Sequence, residues 1–189
     1  MCIHKIWILN YSYNYHLKLF SHHRKKSYKD INQKNIIKPI AVFDERKFNY
    51  IVFPYAEGGD LFDLMYNQQI VFNDQQLTIT AFALLSALEK IHSKGYIYRD
   101  LKLENVVFQR KFEELLLNFN EDDIMLIDFG SCYVESKSIS LGSFKGTKLY
   151  YPPEYLFYQR VTDKFDIFQL GVLLYFLAVS YFPFNPNYQ

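Results

Sequence analysis

No glycine stands before Gly58 in this 189-residue chain. Glycine is the residue that turns freely through left-handed backbone conformations, so a glycine-rich loop of any kind is excluded upstream of that point. The first glutamate is Glu45. The only two cysteines, Cys2 and Cys132, lie far apart with no C-x-x-C partner. That excludes a disulfide framework or a cysteine metal cluster and fits a reducing compartment. Cys132 reads as a spectator thiol. A net charge of +1 excludes electrostatic capture of nucleic acid or an anionic membrane by the whole domain. The basic run His22-His23-Arg24-Lys25-Lys26 is short and reads as a solvated face. The apolar start at residues 1–9 is too short for a signal-peptide core and lacks a small-residue cleavage site. Internal repeats and low-complexity segments are absent.

What is present is a globular composition, 50% apolar and 19% aromatic, enough for one core in a single domain. The longest apolar run, 167–184, is interrupted by Gln169 and Ser180 and ends at Pro183. A helix apolar all round is either a membrane span or the centre of a large core. This run barely reaches the spanning length of about 18 residues, and no membrane span is expected. Residues 40–43 and 48–53 read as short strands joined by a polar turn. Residues 54–59 read as a linker broken by Gly58-Gly59, with a short helix from Leu61. Asn73 opens a longer helix, with Gln76 three residues on and Phe72 and Leu77 at the staple positions. Leu77, Ala81, Leu84, Leu85, Leu88 and Ile91 form one expected core stripe, and Gly95 ends the helix.

The loop after that helix reads Tyr98-Arg99-Asp100-Leu101-Lys102-Leu103-Glu104-Asn105, and Asp128-Phe129-Gly130 follows downstream. Three common residues coincide often by chance, but eight in order with the second motif behind them are specific. The pair resembles the eukaryotic protein kinases, and Tyr98 in place of the more frequent histidine is similar to the branch that includes cyclic-nucleotide-dependent kinases. The resemblance implies that Asp100 accepts a proton from an attacking hydroxyl and Lys102 neutralises the phosphoryl group in flight. Asn105 and Asp128 would hold magnesium through oxygen. It also implies an α+β, two-lobed fold, mostly the helical large lobe with a remnant of the small-lobe sheet. ATP and magnesium are the implied cofactors, a protein with a serine or threonine acceptor is the implied partner, and the implied location is cytoplasmic (intracellular).

Further positions follow from the same resemblance. Residues 53–59 resemble the hinge that holds adenine, with Phe53 behind the pocket, the Pro54 carbonyl accepting and the Ala56 amide donating. Proline lacks only the N–H, which position 54 does not use. Asp60 would accept from a ribose hydroxyl and Val107 would floor the base. The segment 146–154 resembles the close of an activation segment spanning 128–154. Within it Thr147, together with Lys102, points to a serine or threonine acceptor, and Glu154 is a structural anchor. Asp166 would brace the catalytic loop (98–107) from the apolar helix. Ser143 would be a phosphorylation site engaging Arg99. The extra segment 109–123 reads as a longer hairpin or loop without chemistry of its own.

The chain departs from the family pattern at its start. The phosphate-covering glycine loop and a Val-Ala-Ile-Lys-like strand are both missing, and Lys18 is a poor candidate for the phosphate-pairing lysine. The resemblance covers roughly residues 35–184. Residues 1–34 are therefore expected to be a small-lobe remnant of uncertain structure, and 35–189 a partial kinase domain. The sheet strands 40–43 and 48–53 would then lack partners unless the first 20 residues supply them. The alternative to an active kinase is a catalytically silent binding or regulatory module of the same shape, or an incomplete gene model of an active kinase.

Overall fold

The computed structural model describes residues 8–9, 15–20, 34–44, 49–134 and 147–184. Four strands form one antiparallel sheet: β1 (Ile8–Leu9), β2 (Tyr15–Phe20), β3 (Ala41–Asp44) and β4 (Asn49–Pro54), in the order β1-β2-β4-β3. β4 leads into the linker and has a neighbour on each side. It pairs with β2 from Tyr15↔Pro54 to Phe20↔Asn49 and with β3 from Ala41↔Val52 to Asp44↔Asn49. This corrects the expectation of unpartnered strands. Tyr15-His16-Leu17-Lys18-Leu19 alternates apolar and polar residues, the period of a half-buried strand, and Lys18 stands opposite Ile51 in the register. Among the described residues of β4, Ile51 and Phe53 are buried to under a tenth of their surface, while Ile40, Val42 and Phe43 remain exposed.

The helical region is built on α1 (Asp74–Ser93) and α4 (Lys164–Val179). α1 starts where expected. Asn73 Oδ1 accepts from the Gln76 amide at 2.9 Å, and the Gln76 side chain accepts from the Asn73 amide at 3.0 Å, so two end donors are satisfied reciprocally. Gly95, at φ +72°, follows the last turn. The buried stripe differs from the expected one, being Thr80, Ala83, Leu84, Ala87, Leu88 and Ile91. Leu85 is 46% exposed. α1 packs on α4, and Ala83 and Ala87 are fully buried on its stripe. Each large apolar side chain buried here contributes about 1.5–3 kcal/mol. Among the described residues no helix is long and apolar enough to cross a membrane. α4 instead buries Asp166 and Gln169 alongside Leu170, Leu173, Phe176 and Leu177.

Two further two-stranded antiparallel sheets complete the described strands. β5 (Tyr96–Ile97) pairs with β8 (Tyr133–Val134), and β6 (Val106–Phe108) with β7 (Ile124–Leu126). The extra segment joins β6 to β7 and contains the single-turn helix α2 (Phe112–Leu115). It is anchored firmly. Arg110 donates to both oxygens of buried Asp123, at 2.6 and 2.8 Å, while Lys34 pairs with Glu121 and Asp122. The Asn35 side-chain amide donates to the carbonyls of Glu121 and Ile124. The result is an α+β fold in which a small sheet sits over a larger helical base, with the linker between them.

Candidate active site

Asp166 organises the catalytic loop from below. Its carboxylate, fully buried on α4, accepts from the backbone amides of Tyr98 at 2.8 Å and Arg99 at 2.7 Å. His92 Nε2 lies 2.7 Å from the same carboxylate. One turn along α4, Gln169 accepts from the Leu101 amide at 3.0 Å and donates to the Arg99 carbonyl at 3.3 Å. Five hydrogen-bonding groups of residues 92–101 thus meet two polar side chains on an otherwise apolar helix. The arrangement holds Arg99 at φ +67°, a region that non-glycine residues adopt only when their surroundings over-determine it. His92 and Gln169 were not singled out as site residues, although two polar residues three apart in an apolar helix mark a shared face.

Asp100, Asn105 and Asp128 are then presented together. Asp100 is 7% exposed, Asn105 4% and Asp128 3%. Asn105 Nδ2 donates to the Asp100 carbonyl at 2.6 Å, which turns the Asn105 side chain so that its amide oxygen is available as a ligand. The Asn105 carbonyl accepts from the Ile127 amide at 2.9 Å, and the Tyr98 hydroxyl donates to the Ile127 carbonyl. Asp128 is thereby tied to the catalytic loop on both sides of its preceding residue. Asp128 adopts the left-handed region (φ +58°), with Oδ1 accepting from the Gly130 amide at 3.0 Å. Phe129 packs edge-on against Tyr98, with centroids 5.3 Å apart. Lys102 Nζ lies 3.7 Å from Asp100 Oδ1.

This donor set fits a divalent cation of the hard, oxygen-seeking kind. One amide oxygen and one carboxylate are too few for a closed cage, and among the described residues no group of three or more His, Cys, Asp and Glu side chains could hold a metal. An open pair of this sort suits magnesium, which keeps waters and takes its remaining oxygens from substrate phosphates.

The linker forms the opposite wall. Phe53 is buried at the end of β4. Among the described residues the Ala56 amide makes no backbone hydrogen bond. Gly58 is required by close approach: a Cβ there would stand 2.2 Å from the Arg110 carbonyl and 2.6 Å from Phe108 Cβ. That approach lets the Gly58 amide donate to the Phe108 carbonyl at 3.0 Å and the Phe108 amide to the Gly59 carbonyl at 2.9 Å. Asp60 bridges to Val107, which is 8% exposed, and Asp60 Oδ1 accepts from the Asp63 amide at 2.8 Å. Burial pushes the Asp60 carboxyl above its ordinary value, opposed by the Asp63 amide and reinforced by the nearby charges of Asp63 and Glu104.

At the far side, Thr147 precedes a tight turn that buries Tyr150. Pro153 begins α3 (Pro153–Tyr158), which places Glu154 in its first turn. Among the described residues Glu154 forms no ion pair, and its carbonyl accepts from the Arg160 amide. Ser143 lies outside the described residues. Burial pushes the Cys132 thiol well above its ordinary value, helped by Asp166, whereas Arg99 alone opposes the shift. A thiol so shifted carries little thiolate.

Comparison with known proteins follows the same lines. The family described as "Protein kinase domain" matches residues 23–189. The chain is 32% identical over 158 residues to "Probable serine/threonine-protein kinase 2" of Plasmodium falciparum (isolate K1 / Thailand), covering 83% of this chain and 29% of that protein. It is 33% identical over 158 residues to "Calcium-dependent protein kinase 6" of Plasmodium berghei (strain Anka), covering 83% of this chain and 10% of the other. Against "Calcium/calmodulin-dependent protein kinase type 1" of Caenorhabditis briggsae it is 30% identical over 162 residues, covering 84% and 42%. The chain therefore spans less than half the length of these relatives. With the Tyr98-Arg99-Asp100 loop braced by Asp166, and Asn105 set beside Asp128-Phe129-Gly130, the chain belongs to the eukaryotic protein kinase family.

Proposed function

We propose that the protein is an ATP-dependent protein serine/threonine kinase, transferring the γ-phosphoryl group of ATP to a serine or threonine hydroxyl of a protein. The observation that carries this reading is the convergence of Asp100, Asn105 and Asp128 on one buried frame with Lys102 beside Asp100. Asp100 accepts the proton of the incoming hydroxyl, and Lys102 offsets charge on the group in transfer. Asn105 and Asp128 hold magnesium, which when bound neutralises the phosphates. Thr147 meets the acceptor hydroxyl, the role that the family resemblance implies for it. The Pro54 carbonyl and Ala56 amide receive adenine between Phe53 and Val107, and Asp60 receives the ribose.

A second reading, a catalytically silent module of the same shape, draws on the lack of any glycine before Gly58 and any glutamate before Glu45. One comparison separates the two. Phosphoryl transfer to a serine/threonine peptide is measured with the wild type and Asp100→Asn, each alongside its ATP affinity. A kinase loses at least about 100-fold in turnover in the variant with ATP binding kept. A silent module binds ATP with no transfer to lose.

A further inference from the structure

Arg99 sits immediately before Asp100, and its side chain is partly buried. Its Nε donates to the Ser131 carbonyl at 2.7 Å, and its guanidinium lies over the ring of Tyr133, 5.1 Å from the centroid. Tyr133 belongs to β8, whose pairing with β5 sets it opposite Ile97, two residues before Arg99. It packs with Tyr155 and Val161 against a small apolar cluster of Ile97, Tyr151 and Phe165. Tyr151, Tyr155 and Phe165 meet edge to face within that cluster. Burial in these surroundings draws the Arg99 pKa down, partly offset by Cys132, Tyr155, Asp166 and Tyr133. One side chain therefore spans from the catalytic loop to the two residues that follow the Asp128 turn.

We propose that Tyr133 is a positioning residue whose ring fixes the Arg99 guanidinium, so that Arg99 holds the catalytic loop against the 128–130 turn without a phosphate to order it. The contact stands on its own geometry, while its consequence for turnover rests on the kinase reading above. Attraction between a guanidinium and an aromatic face strengthens as water is removed, and salt screens it less than an exposed ion pair. Many kinases order this region by pairing an arginine with a phosphorylated loop residue. Here the ring covers the guanidinium face and the Ser131 carbonyl takes Nε.

The test compares the full protein with Tyr133→Phe and Tyr133→Leu, measuring backbone amide exchange and peptide phosphorylation before and after phosphatase treatment. In Tyr133→Leu, exchange at residues 98–100 and 129–134 rises about tenfold and kcat falls about tenfold, with KM for ATP held within about twofold. Tyr133→Phe keeps most of the protection and turnover, because it keeps the ring. Phosphatase leaves the wild type unchanged. Tyr133→Met, similar in volume and lacking a ring, replaces the leucine variant should that one not fold. The proposal is overturned if the ringless variant exchanges like Tyr133→Phe, or if phosphatase alone reproduces the loss. Absence of transfer by the wild type would count against the kinase reading only, since the exchange arm still decides whether the brace exists.

Discussion

Asp166 on α4 and Ile51 on β4 are both almost wholly removed from water, at 0% and 1% exposure, yet they secure opposite walls of the site by different means. Around Asp166 the fold spends polar groups: its carboxylate and the Gln169 amide meet the backbone of the catalytic loop in one short stretch. Around Ile51 the wall is a sheet held by strand pairing, with Ile51 and Phe53 inside and Ile40, Val42 and Phe43 outside. Directional hydrogen bonds in a dry interior fix the loop's atoms, and a partial loss is costly because each orphaned group keeps its desolvation penalty. Apolar contact on a small sheet tolerates displacement. The loop is therefore held by directional contacts to its backbone, and the sheet by strand pairing and apolar burial.

The largest expected effect breaks the hydrogen-bonded wall. Asp166→Ala leaves the buried Tyr98 amide, the partly buried Arg99 amide and His92 without their acceptor, and a loss of at least about 3 kcal/mol is expected in urea unfolding. A loss as small as that of a surface substitution would mean that the loop is held by packing alone. Next is the seam where the walls meet. Gly58→Ala puts a methyl against the Arg110 carbonyl and Phe108, with an expected cost of about 1–3 kcal/mol in the same measurement. An unchanged midpoint would show that the seam gives way freely.

The sheet wall is expected to respond far less. Phe43, 54% exposed on β3, should change stability by no more than about 0.5 kcal/mol on substitution by serine. A cost comparable to that of Asp166→Ala would erase the contrast between the walls.

The smallest effect concerns Asp60 at their junction. Its folded pKa is raised above its ordinary value of 3.8, so its favourable contribution is full below that value. It is lost as pH rises through the folded pKa, where the buried group must ionise. Asp60→Asn should therefore match the wild type in acid and become slightly more stable above the carboxylate range, by less than about 1 kcal/mol because the group is half exposed. Stability measured across that range checks the sign, and a variant less stable at neutral pH would refute it.

Much of the hydrogen-bonded wall was legible because its residues follow local rules. Asn73 and Gln76 announce the start of α1 by spacing alone, and Asp100, Asn105 and Asp128 lie in runs whose order is specific. The sheet wall was harder to read. The alternation at residues 15–19 is only five residues long and precedes any glycine or proline punctuation, so its pairing with β4 is a long-range fact that no window reveals. Leu85 misled for a related reason. Helical spacing identifies an apolar stripe but not which edge of it is buried, and in the fold that edge runs through Thr80, Ala83 and Ala87. Tyr133 carries no sequence signal for its contact with Arg99, which arises only when β8 pairs with β5.

Asn105 and Asp128 must act together on a nucleotide-bound cation if the proposed kinase chemistry holds, and ATP affinity with and without magnesium tests this without requiring turnover. The wild type is expected to bind ATP at least about tenfold more tightly with magnesium, and Asp128→Asn to lose that enhancement while keeping its magnesium-free affinity. An equal magnesium enhancement in the wild type and Asp128→Asn would contradict the account.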